Sequence, residues 1–179
     1  GGLWIVGHAQ QQRAAEVTIP TPSASTSLAS LSRATLKTNF ADILAGKMGT
    51  IGSGEARVGG ILPWGNGFVV SAYLYYDAAN AQQRSHFSVQ DGSVDGPYQV
   101  GSAGAGDVSG YMTSIPSEWQ ALFGGPALTG QCCIPIISRT SLGPAATVFA
   151  PSALSSQSKA TQVVGYPMNH PTLGTYEGT

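Results

Sequence analysis

The stretch Arg57-Val58-Gly59-Gly60-Ile61-Leu62, then Trp64-Gly65-Asn66-Gly67, then Phe68-Val69-Val70-Ser71-Ala72-Tyr73-Leu74-Tyr75-Tyr76, constrains this chain more than any other feature. Asn-Gly tolerates the positive φ angles of a tight turn, and the run after it is dense in β-branched and aromatic side chains, which pack well on a pleated surface. A β-hairpin follows. Further strands are expected at Ser85–Val89 and, after the turn-rich Asp91–Pro97, at Tyr98–Val100, so residues 57–100 read as a four-stranded antiparallel meander.

The pattern then recurs. Ser109–Ile115 reads as a first strand, Ile134–Ser138 as a later one and Ala146–Phe149 as a last one before Pro151. Between them, Pro116–Phe123 reads as one or two helical turns, with Ser117 as cap and Gly124-Gly125 as stop. An internal match aligns Ser85-His86-Phe87-Ser88 and Gly96-Pro97 with Ser138-Arg139-Thr140-Ser141 and Gly143-Pro144, with the Gly-Pro pairs 47 residues apart. A period of about 40 to 50 residues with four strands per unit is the signature of a propeller blade.

The expected fold is therefore all-β: four-stranded antiparallel blades of a β-propeller with one short helical insertion, in a partial ring, because a closed ring needs about four blades or more. On this reading residues 1–20 (Leu3–His8 and Ala15–Ile19) supply the last strands of a preceding blade. Residues 21–56 are linker and irregular segment, with Arg33–Asp42 either a strand or leading into a short helix at Phe40–Leu44. Residues 57–100 are one blade and 101–150 a second that carries the helical insertion. Residues 151–179 are linker and the start of a next blade at Val163–Tyr166, and the chain reads as a fragment or mature segment of something longer.

Charged residues make up 9% of the chain, against about 25% in an ordinary soluble domain. Solubility must come from uncharged polar side chains, a composition common outside the cell, so a secreted or cell-surface location is expected. A net charge of -1 with eight Lys plus Arg leaves no electrostatic footprint for nucleic acid. No apolar run is long enough for a membrane span. Phosphate-loop, dinucleotide and Gly-x-Ser-x-Gly motifs are absent, and His8, His86 and His170 are too dispersed to read as a metal site, so neither metal nor cofactor is expected.

Val58–Leu62, Ser109–Met112, Gly124–Pro135 and Ser138–Pro144 together resemble parts of secreted bacterial β-propeller proteins, mostly without assigned activity and similar in blade layout to five-bladed and six-bladed glycosidases. The likeness runs from about Gly46 onward. It implies an extracellular propeller segment, with catalytic carboxylates, where a relative has them, on innermost strands facing the central channel. No carboxylate here matches such a motif residue by residue.

Glycoside hydrolysis needs two carboxylates facing each other across a cleft. Asp77, after a strand, and Asp107, just before one, are the best-placed candidates, while Asp77, Asp91 and Asp95 also suit turn caps, because Asp bonds backbone two residues on. Tyr111 and Trp119 offer flat surfaces for sugar rings, although core packing is the commoner fate of strand aromatics. Arg139 offers a fork for a substrate carboxylate or an ion pair within the fold. The expected ligand funnel, at the inner-strand ends, holds Asp107, Tyr111, Arg139 and His170. Cys132-Cys133 reads as a vicinal disulfide, as buried thiols, or as two cysteines bonded elsewhere, with a redox role as a distant possibility. Two functions compete: binding or hydrolysis of a polysaccharide or other glycan, and a structural module that self-associates through open strand edges without catalysis.

Overall fold

A computed structural model describes residues 1–7, 10–52, 54–77, 79–132, 143–166, 169–170 and 174–175. The chain is mostly β, with three antiparallel sheets of three or four strands and few helices. It divides into two compact units, Gly1–Ile43 and Leu44–Thr179.

In the first unit, β1 (Gly2–Val6), β2 (Ala14–Thr18) and β3 (Leu36–Ala41) form an antiparallel sheet in that order. The expected hairpin is present, with Leu3 opposite Val17 and Ile5 opposite Ala15. The ambiguous segment around Phe40 is strand: pairing with β2 settles what its own pattern left open, and two register shifts interrupt that pairing. Lys37 on β3 ion-pairs with Glu16 on β2. Only Ala14 and Ala15 are buried among the unit's described apolar side chains, and every residue of β3 is exposed.

The second unit holds the expected meander: β4 (Ala56–Trp64), β5 (Gly67–Leu74), β6 (Arg84–Gln90) and β7 (Ser93–Gln99), in sheet order. Both of its tight turns differ in detail from expectation. Trp64 pairs with Gly67, so the first turn is Gly65-Asn66, with φ 60° at Gly65; positive φ at the first central residue is the II′ pattern. Gly67 serves another purpose, since a Cβ there would lie 2.0 Å from the Val89 carbonyl oxygen. The second turn is only Asp91-Gly92, with φ of 49° and 78° as a type I′ turn requires, so Asp95 lies within β7 opposite Ser88 instead of in a turn.

The second meander is β8 (Met112–Ser114), β9 (Ala127–Gly130), β10 (Gly143–Phe149) and β11 (Ala160–Tyr166), again in sequential sheet order. β9 had no counterpart in the sequence reading, Ala146–Phe149 belongs to the third strand and not the last, and Val163–Tyr166 completes this sheet instead of opening another. Ile134–Ser138 lies outside the described residues. The Gly-Pro pairs are not equivalent, since Gly96-Pro97 sits in the last strand of the first sheet and Gly143-Pro144 opens the third strand of the second. Gly-Pro marks backbone irregularity wherever it is needed, so its recurrence carried no strand order.

Among the described residues, two α-helices complete the frame. α1 (Ala105–Val108) packs on β5, β6, β9 and β10. α2 (Ser117–Phe123) is the expected insertion between β8 and β9, stopped by Gly124 at φ 78°, but its cap position is Pro116, and the Ser117 hydroxyl instead approaches Glu118. A short ladder, β12 (Asn169–His170) with β13 (Gly174–Thr175), follows β11.

The core lies along the seam between the sheets, where Leu62 and Val69 of the first meet Ala127 and Phe149 of the second, with Val100 and Val108 between. Each large side chain buried there contributes about 1.5–3 kcal/mol. Gly59 and Gly60 let the first strands of the two sheets draw close: a Cβ on Gly59 would fall 1.6 Å from the Ser109 carbonyl oxygen, and one on Gly60 would fall 2.6 Å from that of Gly110.

Candidate functional site

Of the expected site residues, Asp77, Asp107, Tyr111 and Trp119 are described with their side chains. Asp77 follows β5, and its carboxylate accepts the Ala81 N–H at 2.8 Å on one oxygen and the Gln82 N–H at 2.9 Å on the other. Both oxygens thus serve the turn that leads into β6, the bonding expected of a loop cap. Asp107 sits on α1 and is only 8% exposed. Its carboxylate lies against Gly143, where an added Cβ would come within 3.3 Å of Oδ1.

Two grooves have walls of described residues. One, of about 560 Å³, is lined by Thr113 and Ser114 of β8, by Ile115 and Pro116, by Trp119 and Phe123 of α2, and by Leu128 of β9. Its surface is mostly apolar. Trp119, on the single helix Ser117–Phe123, is 51% exposed on its wall. Tyr111 is 88% exposed and does not line this groove. The second groove, of about 970 Å³, runs past Phe149, Ala150, Ser155, Ser158 and Lys159. Neither Asp77 nor Asp107 lines either groove.

Arg139 and Cys133 lie outside the described residues, and His170 is described only as a backbone member of β12. Cys132 is buried, and its N–H donates to the Gly106 carbonyl at 2.9 Å. Among the described residues, no three His, Cys, Asp or Glu side chains gather as metal ligands, and no helix is long and apolar enough to cross a membrane.

The sequence reading missed the polar layer buried in the seam. His86 on β6 is fully buried, its Nδ1 lies 2.8 Å from Ser85 Oγ, and its ring meets that of Phe149 edge-on, with centroids 5.1 Å apart. Among the described residues its Nε2 has no hydrogen-bond partner, and neither does the buried Thr147 Oγ1 on β10. Burial holds the His86 pKa down at about 3, so the ring is neutral at ordinary pH. Around it, Ser71 Oγ reaches the carbonyls of Ser109 and Gly110 at 2.9 and 3.0 Å, and Ser109 Oγ donates to Ala105 at 2.5 Å. The available signal was a lone histidine in a strand, set between Ser85 and Phe87. Comparison with protein-family models, with curated proteins and with solved structures found no match to this chain.

Proposed function

We propose that this chain is a non-catalytic assembly module of a propeller-type β protein, working through open strand edges that pair with a second copy of itself. The observation that carries this reading is β3: six residues, all exposed, with Leu36 and Phe40 uncovered, on a sheet whose unit buries only Ala14 and Ala15. A unit of about 40 residues with so small a core usually needs a partner to stay folded. Among the described residues β3 pairs only with β2, which leaves its outer edge available. The blade reading is supported by two successive meanders whose first strands approach at Gly59-Gly60. Low charge supports an extracellular setting. Sedimentation of the chain over a wide concentration range tests the proposal: self-association that a Phe40→Lys change abolishes is expected, and a stable monomer throughout would overturn it.

A second reading, glycan binding, is favoured by one observation, the half-exposed Trp119 on the wall of its groove. An indole face suits the apolar face of a sugar ring. Titration with oligosaccharides should then shift Trp119 indole signals, and a Trp119→Ala variant should lose binding; no response to plant, bacterial or host glycans would remove this reading.

A further inference from the structure

The two four-stranded sheets meet across a layer that is polar at its centre. His86 enters it from β6 and Phe149 and Thr147 from β10, while α1 packs against both strands. A neutral imidazole fits this place. Nδ1 is satisfied by Ser85, and the Phe149 ring edge covers the imidazole from the opposite sheet. An imidazolium fits badly, because it must donate from both ring nitrogens, and among the described residues Nε2 has no hydrogen-bond partner. The titratable groups on the elements packed against β6 are Tyr73 on β5, Asp95 and Tyr98 on β7, and Asp107 on α1, while β10 has none and Arg84 on β6 itself is exposed. Among the described residues, the hydrogen bond to the His86 ring comes from Ser85 at Nδ1, and burial is what disfavours a charge on the ring.

We infer that the seam between the two sheets is an acid-sensitive latch, closed by neutral His86 against Phe149 and opened when that imidazole takes up a proton. The sign follows from linkage. The closed state holds His86 near 3, and in the open state it returns toward 6.5, so stability is complete above about 6.5 and is lost progressively as pH falls toward 3. By pH 4.5 proton uptake favours opening about a hundredfold. Opening at the seam exposes Leu62, Val69 and Phe149 while each sheet keeps its own backbone pairing.

The test uses the whole chain, with urea melts, far-ultraviolet circular dichroism and binding of the dye ANS between pH 7 and 4, on wild type, His86→Phe and Asp107→Asn. The expected result is a dye-binding, β-rich species in wild type and Asp107→Asn near pH 4.5, absent in His86→Phe, with the ratio of wild-type to His86→Phe unfolding constants rising about a hundredfold over the window. A ratio that stays flat, or loss of the sheet signal in the same step as dye binding, would overturn the latch. Should His86→Phe fail to fold, proton NMR of wild type decides. A His86 ring signal unchanged down to pH 4.5 in the closed form supports the latch, and titration near 6.5 with the fold intact refutes it.

Discussion

Strands β3 and β6 have similar lengths and the same two-residue periodicity, yet they have opposite fates. β6 runs inside its sheet, and consecutive residues Ser85, His86 and Phe87 are all buried, one sheet face against the seam and the other turned away from it. β3 runs at an edge, and nothing along it is buried. Alternation therefore specifies a strand, whereas burial is conferred by what comes back to cover it. Here β10 and α1 cover β6 from far along the chain. The consequence is a contrast in burial, with β6 inside the core of its unit and β3 on the surface of its own.

Mutations should sharpen that contrast. Phe87→Ala removes a fully buried ring and should cost about 3–5 kcal/mol in urea melts, whereas Phe40→Ala on β3 should cost under about 1 kcal/mol in the monomer. Equal losses at both sites would break the comparison. Gly59→Ala pushes a methyl into the Ser109 carbonyl and should destabilise by about 1–3 kcal/mol, since the first strands of the two sheets must move apart. Gly92→Ala, at φ 78° with open space around it, tests backbone strain alone and should cost about 1 kcal/mol. Phe40→Lys should change monomer stability by no more than about 0.5 kcal/mol while removing self-association, and a large loss of stability would show that β3 is less open than its exposure indicates.

How much could be read beforehand varied with how local the cause was. The hairpin around Gly65-Asn66, the Asp91-Gly92 reversal and the Ser117–Phe123 helix were legible, because turn residues, β-branched runs and a glycine stop act within a few positions. Strand β9 was not. Ala127-Leu128-Thr129-Gly130 is short and weakly β-forming, and it becomes a strand because β8 and β10 flank it. α1 was hidden for a similar reason: the glycine-rich run before Asp107 suggests a loop, and only packing against both sheets makes a helical turn of it. The site candidates divided the same way. Asp77 as a turn cap follows from its own neighbours, while the importance of His86 depends on Phe149, which no local pattern brings to it.

The division between a covered and an uncovered sheet is tested most directly by residue-resolved hydrogen exchange at low and high protein concentration. Amides of β5 and β6 should exchange slowly at both concentrations, and those of β3 should exchange fast in dilute solution and become protected as the chain associates. Protection in β3 equal to that in β6 at every concentration, or independent of concentration at any level, would contradict the account.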